Sequence, residues 1–256
     1  MNYLVYMILF LLGSAVGSFL NVLIDCLPFD KKFINRRSVC DHCHKILSPI
    51  DLIPVFSYLF LFGKCRFCGK KINIQYPLVE LTTGLLFLFS FHYYFSITSY
   101  VLALIIISLS VAIFMIDLKY SLVLDALSYP AIFFALGYTI FNNLQDPRII
   151  LNNVLGSLLA GLFFWFLWAV TKGKGMGEGD ILIAIFIGLL TGYPVILVAL
   201  LIAFLTGALV GVILILLGRK KMKSEIAFGP FLIAGAYLAL IFFKDAINFW
   251  TFPLVT

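Results

Sequence analysis

The sequence predicts an all-α polytopic membrane protein with about eight transmembrane helices and a small cytoplasmic loop domain between helices 1 and 2. Three observations support this fold. Of the 256 residues, 63% are hydrophobic and only 12% are charged. The mean hydropathy is +1.11, and the apolar residues form long windows. One polar stretch, 28–76, interrupts them and carries four of the five cysteines.

The apolar windows are long enough to cross a membrane, which takes about 20 mostly apolar residues. They predict spans at 3–25, 77–95, 98–117, 122–141, 150–171, 180–192, 194–217 and 227–247. The sixth window is short and ends at Gly192-Tyr193-Pro194, so we expect a tilted or broken span there. The first window lacks a basic start and a small-residue cleavage pattern, and we expect it to be retained rather than removed as a signal peptide.

The basic residues predict the orientation, because Lys and Arg in short loops stay on the cytoplasmic side. With eight spans, sixteen of the eighteen basic residues fall in one set of loops, and only Arg148 and Lys244 fall in the other. Both termini are therefore predicted outside, and the 28–76 loop inside. This bias accounts for the net charge of +6, so we expect no nucleic-acid partner.

The polar loop 28–76 is the second of three predicted domains, after a first transmembrane helix at 1–27 and before a membrane core at 77–256. Its cysteines form two CxxC pairs, Cys40 and Cys43 followed by Cys65 and Cys68. Two such pairs about twenty residues apart are typical of a tetrahedral metal site, with zinc the expected ion. Two disulfides are the alternative, but persistent disulfides are uncommon in the reducing cytoplasm. Four sulfur ligands would make the zinc structural.

Two histidines and a fifth cysteine lie near this cluster in the sequence. His42 and His44 are alternative metal ligands, although solvated loop histidines are commoner. Cys26 is the odd fifth cysteine at the end of the first span. A cysteine there is more often a small buried hydrophobe than a reactive thiol.

Four acids lie at predicted cytoplasmic ends of the spans: Glu80, Asp117, Asp125 and Asp180. A charge at the centre of a membrane helix costs about 2.5 kcal/mol or more, which makes retained acids functional candidates. The alternative is that they are ordinary boundary acids solvated by headgroups and loop water. Four acids at one face, with the glycine-rich run GMGEGD at 175–180, favour a functional site.

The glycines of that run, Gly175, Gly177 and Gly179, remove side chains where a substrate backbone must approach and permit turns closed to other residues. Their alternative interpretation is a flexible loop between helices.

Seven segments, in order along the chain, resemble bacterial type IV prepilin peptidases, a family of GxGD aspartic proteases. They are GSFLNVLIDCLP at 17–28, RSVCDHC at 37–43, SPIDLIPVFSYLFLFGKCRFC at 48–68, QYPLVEL at 75–81, MIDLKYSLVLD at 115–125, GMGEGD at 175–180 and FGPFLIAG at 228–235. The resemblance implies a peptidase of the bacterial inner membrane that cuts leaders from type IV pilin-like precursors at the cytoplasmic face. Many members then N-methylate the new N-terminus with S-adenosylmethionine. Archaeal preflagellin peptidases and presenilin-like enzymes share GxGD, but the cysteine loop favours the bacterial group.

The resemblance implies that Asp117, in MID, and Asp180, in GEGD, are the two catalytic residues. Asp125 matches a further family acid that usually follows a proline, whereas Leu124 precedes it here. We expect Asp125, Gly177, Gly179 and Glu80 to support the site. The motifs assign no residues to S-adenosylmethionine.

The chemistry of two such acids agrees with an aspartic protease. One ionised carboxylate takes a proton from water while a neutral carboxylic acid donates one to the carbonyl oxygen of the scissile bond. Asp180 opens a helix, whose positive dipole end favours the anion, and Asp117 closes one, whose negative end favours the acid. We therefore expect Asp180 to carry more of the charge and Asp117 more of the proton, although the pair titrates jointly.

The expected partners are type IV prepilin or pseudopilin precursors and membrane lipid. Because pilin leaders are usually basic, Asp41, Asp51 and Glu80 are candidates for leader contact. The basic loop either contacts anionic lipid headgroups or only signals topology. Phe228–Pro230 either lines a substrate groove or only begins a helix.

Two other function classes remain open from the sequence. A proton-coupled transporter would use the same acids as a relay, but it would need them near the bilayer midplane rather than at one face. A noncatalytic scaffold of a pilus or secretion system would use the cysteine loop for docking and would tolerate loss of both aspartates.

Overall fold

The computed structural model describes residues 2–31, 38–40, 42–93, 96–173, 176–218 and 227–243. In these ranges the chain forms nine α-helices and no strand. They are α1 (Asn2–Cys26), α2 (Phe56–Phe60), α3 (Gln75–Ser90), α4 (Ile97–Tyr120), α5 (Asp125–Asn142), α6 (Pro147–Thr171), α7 (Glu178–Thr191), α8 (Val195–Leu216) and α9 (Gly229–Phe242). All except α2 coincide with the eight apolar windows of the sequence, so the all-helical prediction is confirmed.

Four helical segments are long and apolar enough to cross a membrane by themselves: Tyr3–Phe29, Ile97–Tyr120, Pro147–Thr171 and Val195–Leu216. The helix α7 has 14 residues, or about 21 Å at 1.5 Å per residue. That length is less than the hydrocarbon thickness of about 30 Å. The observed brevity of α7 agrees with the short sixth window.

Several helix ends differ from the window ends; α3, for example, ends at Ser90, inside the window 77–95. The window 98–117 stops at the first charge, but α4 continues to Tyr120. The reason is that hydropathy ends at the first acid while backbone hydrogen bonding does not: the N–H of Ser121 still donates to the carbonyl oxygen of Asp117 at 2.8 Å. Asp117 therefore lies inside the last turn of the helix.

The chain divides into two compact units, Met1–Ala112 and Ile113–Thr256. In the first unit, α1 packs along α3, and glycines allow the two backbones to approach closely. A Cβ on Gly13 would lie 2.8 Å from Cα of Gly84, and one on Gly17 would lie 2.8 Å from Cα of Glu80. Small residues at such contacts are typical of helix pairs in membranes.

The second unit is built around α7, which packs against α5, α6 and α9. A Cβ on Gly188 of α7 would lie 2.5 Å from Cα of Ser157 in α6. The helix α8 packs mainly on α9. The short α7 is thus surrounded by other helices, and its first turn carries the buried Asp180.

The contact between α1 and α3 leads to a stability prediction. We expect Gly17→Ala to lower the thermal unfolding midpoint of the detergent-solubilised protein, because its new methyl group would meet backbone atoms of Val79 and Glu80. Overpacking of this kind typically costs about 1–3 kcal/mol. Gly137→Ala is the matched control, since no atom lies within 4 Å of a Cβ there. Equal shifts for the two variants would contradict the prediction.

Candidate functional site

Two buried aspartates from different helices form the candidate active site. Asp117 lies in the last turn of α4 and Asp180 is the third residue of α7. Their side chains belong to residues that are only 3% and 8% exposed. The two carboxyl groups are close enough to interact electrostatically. The structure therefore brings together two acids that lie 63 positions apart in the chain.

A backbone group from a third helix completes this arrangement. The N–H of Gly229, the first residue of α9, donates to Oδ2 of Asp117 at 2.9 Å. A Cβ on Gly229 would lie 2.6 Å from that oxygen and 2.6 Å from Cδ1 of Ile183, one turn beyond Asp180. A larger residue at this position would have to displace the ends of these two side chains, one of which is the Asp117 carboxylate. The sequence predicts either a groove lining or a helix start at Phe228–Pro230, but nothing in it indicates this donor.

Gly179 closes the gap between the α7 N-terminus and the segment that follows α4. A Cβ on Gly179 would overlap Cβ of Val123, so the absence of a side chain is what lets the two segments meet. Gly177 is the N-cap residue of α7, and a Cβ there would meet no atom closer than 4.0 Å. Asp125 begins α5 and is exposed, unlike the two buried aspartates. Gly175 lies outside the described residues.

An aromatic cluster holds the beginning of α9. The ring of Phe228 lies 5.0 Å from that of Phe204 in α8 and 6.0 Å from that of Phe164 in α6, and Phe231 lies 6.3 Å away. Such ring pairs contribute about 0.5–1.5 kcal/mol each beyond the burial of their area. Phe228 directly precedes Gly229, so this cluster also positions the N–H that Asp117 accepts.

Glu80 belongs to the first unit, and its partners lie there. Its buried carboxylate accepts a hydrogen bond from the N–H of Val55 at 2.7 Å and one from the Ser18 hydroxyl. Val55 has φ 62° and ψ −51°, a conformation that is strongly disfavoured for a β-branched residue. Glu80 therefore helps to hold a strained backbone. Nothing in the local sequence indicates this, because the two residues are 25 positions apart.

The four cysteines form the candidate metal centre. The four Sγ atoms all lie within 4.8 Å of one another, and those of Cys40 and Cys68 are 3.9 Å apart. A tetrahedral ion with metal–sulfur bonds of about 2.3 Å separates its ligands by about 3.8 Å. These thiols can therefore hold a metal ion, as the spacing predicts. All five cysteines are described and none forms a disulfide; Cys26 is buried at the end of α1, as expected.

Each cysteine pair is presented by the same backbone turn. The N–H of Cys40 donates to the carbonyl of Lys45, and that of Cys65 donates to the carbonyl of Lys70. The cysteine carbonyls in turn accept from His44 and Gly69, which both have positive φ. The N–H groups of Cys43 and His42 donate to the Cys40 sulfur and lower the pKa of its thiol to about 7, which favours the thiolate that binds metals. His42 and His44 are exposed and lie outside the cluster.

Asp51 connects the second cysteine turn to the segment before α2. Its Oδ1 pairs with Nε of Arg66 at 2.9 Å, and its Oδ2 accepts from the Ser48 hydroxyl at 2.7 Å. The Ser48 hydroxyl, the Ser48 N–H and the Arg66 charge hold the pKa of Asp51 below its usual value, against the effect of burial. Asp51 is thus engaged within the loop. Asp41, the other leader-contact candidate of the loop, lies outside the described residues.

Two protein-family models match the chain. The model of the bacterial peptidase A24 N-terminal domain matches residues 11–94, and that of the type IV leader peptidase family matches residues 103–212. No solved structure gives a significant match. The two matched segments define a membrane-bound leader peptidase with its bacterial N-terminal domain.

Several whole proteins are also similar to the chain. It is 31% identical to the prepilin leader peptidase/N-methyltransferase of Bacillus subtilis, over 95% of the chain and 96% of that protein. It is 32% identical to the protein of the same name from Aeromonas hydrophila, over 97% and 94% of the two chains. For the Pseudomonas aeruginosa protein of that name the identity is 31%, over 90% and 88%. The chain belongs to the prepilin leader peptidase/N-methyltransferase family.

The cysteine cluster predicts the metal content of the purified protein. We expect a stoichiometric, tightly bound metal ion in the full-length chain by elemental analysis. Cys65→Ser should lose it, because removal of one thiolate leaves an incomplete tetrahedral set. His42→Ala is the matched control and should keep the ion, since that side chain lies outside the cluster. Equal metal content in both variants would contradict the assignment.

Proposed function

We propose that the chain is a membrane-embedded aspartic endopeptidase that removes the basic leader from type IV prepilin or pseudopilin precursors. Asp117 and Asp180 are its catalytic pair. The observation that carries this proposal is the meeting of two buried carboxyl groups, one in the last turn of α4 and one in the first turn of α7. Membership of the prepilin leader peptidase/N-methyltransferase family supports the substrate class.

The pair supplies general acid–base chemistry. Two carboxyl groups held close together do not both ionise readily, so they share a proton. The ionised group takes a proton from a water molecule, which then attacks the scissile carbonyl carbon. The neutral group donates its proton to the carbonyl oxygen, giving a tetrahedral intermediate whose collapse breaks the C–N bond as the amine is protonated.

Two influences act on the shared proton in opposite directions. Helix polarity favours negative charge on Asp180, at the start of α7, and the proton on Asp117, at the end of α4. The N–H of Gly229 favours negative charge on Asp117. Because these effects compete, the pair is best described by joint titration, with neither acid permanently the proton donor.

Gly177 supports the site by leaving room at the start of α7, and Gly179 supports it by letting Val123 pack beside Asp180. Gly177 faces open space at the α7 N-terminus, where a substrate backbone approaches without meeting a side chain. Asp125 is exposed on the first turn of α5 and is a candidate for contact with the basic leader.

The second activity is N-methylation of the new N-terminus with S-adenosylmethionine as the methyl donor. The name shared by the relatives supports it. The metal ion is zinc in a structural role, because four thiolates fill a tetrahedral site and leave no position for water or substrate.

The topology that goes with this function has eight spans, both termini outside, and the domains 1–27, 28–76 and 77–256. The cysteine loop and the catalytic pair face the cytoplasm, and lipid surrounds the spans. The basic residues concentrated in alternate loops support this orientation.

The catalytic assignment is tested by replacing each aspartate. We expect Asp117→Asn and Asp180→Asn each to reduce cleavage of a prepilin-like peptide by about 10²- to 10⁴-fold, since an amide neither takes nor gives the proton. Asp146→Asn is the matched control, because Asn caps a helix as well as Asp does and Asp146 caps α6. Full activity of either catalytic variant would refute the pair, and no cleavage by the wild-type protein would favour a noncatalytic scaffold.

The Gly229 contact gives a second test. We expect Gly229→Ala to reduce cleavage by up to about 10²-fold, because displacing a catalytic group by 1 Å has effects of that size. The new methyl group would press on Oδ2 of Asp117 and on Ile183. Gly137→Ala, measured in the same peptide assay, should cleave at the wild-type rate. Wild-type cleavage by Gly229→Ala would show that this donor does not position the pair.

The masses of the peptide products test the methylation proposal. The peptide incubated with enzyme alone should lose its leader, and the remaining fragment should gain one methyl group only when S-adenosylmethionine is added. Because the amine forms only on cleavage, Asp180→Asn should give neither product. A methylated but uncut peptide would contradict this order of reactions.

A further inference from the structure

The loop domain carries an exposed apolar surface that neither the peptidase nor the metal site uses. It comprises six side chains that are between 42% and 88% exposed, and we name it the apolar face: Ile50, Ile53, Phe56, Leu59, Phe60 and Phe62. Four of them line one open groove of about 270 Å³ together with Ser57, Leu61 and Arg66. Soluble surfaces rarely keep large contiguous apolar patches without a partner.

The position of the apolar face along α1 and α3 indicates how deep it lies in the membrane. Val55, in the middle of the segment, donates its N–H to Glu80 of α3, and Glu80 lies beside Gly17 and Ser18 of α1. Ser18 is seven residues before Asp25, or about 10 Å along the helix. Asp25 is the first charged residue after the apolar part of α1, which places it at the membrane interface and Val55 at the depth of the acyl chains beneath the headgroups.

The exposed side of α3 supports the same depth. From its first turns onward α3 presents Leu78, Leu81, Leu85 and Phe89 to the surroundings, between 38% and 58% exposed and at helical spacing. A stripe of this kind is what a helix presents to lipid. Glu80 lies between the first two of these residues, so the segment that it holds is level with the lipid-facing part of α3.

Non-helical chain at such a depth needs partners within the protein for its N–H groups, because an unpaired N–H is costly there. The groups around Val55 have such partners. The Val55 N–H has Glu80. The Ser57 N–H donates to the carbonyl of Ile53, and its hydroxyl donates to the carbonyl of Asp51. The apolar side chains can therefore point outward while these polar groups stay paired.

The positive charge of the loop favours anionic lipid over a basic leader peptide as the partner of the apolar face. The stretch 28–76 carries nine basic and three acidic residues, and Lys64 and Arg66 are exposed directly after the apolar face. Like charge disfavours the basic leader of a precursor there. Anionic headgroups are attracted by basic residues next to an inserted apolar segment.

We propose that the segment 50–62 is a re-entrant element inserted into the membrane leaflet where α1 ends and α3 begins. Acyl chains cover the apolar face, and the adjacent basic side chains contact the phosphates of anionic phospholipids. Glu80 holds the segment at this depth through its hydrogen bond with the N–H of Val55. This inference goes beyond the proposed peptidase and concerns how the loop domain is seated on the bilayer.

Photo-crosslinking of the full-length protein tests the proposal. The photoreactive residue p-benzoylphenylalanine is placed at position 60, and the protein is reconstituted into nanodiscs of mixed phosphatidylglycerol and phosphatidylcholine. Intact mass after irradiation should show the addition of one phospholipid, enriched in phosphatidylglycerol relative to its share of the bilayer. The matched control carries the same residue at Lys70, which is exposed on the second cysteine turn, and should show little lipid adduct.

Three results would overturn the inference: no more lipid at position 60 than at position 70, adducts without phosphatidylglycerol enrichment, or crosslinks to an added prepilin peptide or a second copy of the chain in place of lipid. Cleavage by the same nanodiscs is measured separately, so failure of the peptidase and failure of lipid insertion are distinguishable.

Two substitutions of Glu80 test its role in holding the segment. In the position-60 protein, Glu80→Leu should lose most of the lipid adduct, whereas Glu80→Gln, which keeps an acceptor oxygen for Val55, should retain it. Metal content reports whether the cysteine cluster remains folded in each. An undiminished adduct in a metal-containing Glu80→Leu protein would overturn the role of Glu80.

Discussion

The structure depends on the pairing of buried acidic groups with polar partners from distant parts of the chain. Burying a carboxyl group in apolar surroundings costs free energy unless the group is hydrogen-bonded or paired with an opposite charge. Asp117 accepts the N–H of Gly229, and Glu80 accepts the N–H of Val55. Each of these contacts fixes the end or beginning of a helix, so the polar groups determine how the apolar helices are arranged.

The same contacts explain where glycine is required. A side chain on Gly229 would displace the ends of the Asp117 and Ile183 side chains, and one on Gly179 would collide with the side chain of Val123. These glycines allow close packing around the two aspartates. The aromatic rings around Phe228 pack against the start of α9. This packing keeps the Gly229 N–H at 2.9 Å from the Asp117 carboxylate.

Much of this protein was predictable from its sequence because the signals are local. The apolar windows predict the eight helices, since hydropathy over about 20 residues reports directly on membrane helices. The two CxxC pairs predict the sulfur cluster, because each pair needs only one tight turn. The family motifs single out Asp117 and Asp180. The end of α4 was misplaced by one turn, because a charge ends an apolar window without ending a helix.

The sequence by itself determined the class of fold, the four candidate metal ligands and the two candidate catalytic acids. Only the tertiary structure decided which groups surround those acids: the Gly229 N–H, the contact of Gly179 with Val123, and the hold of Glu80 on Val55. The physical reason is that each of the latter joins residues between 25 and 112 positions apart. Contacts between such distant residues produce no recognisable periodicity or spacing in the sequence. They form only when the helices pack.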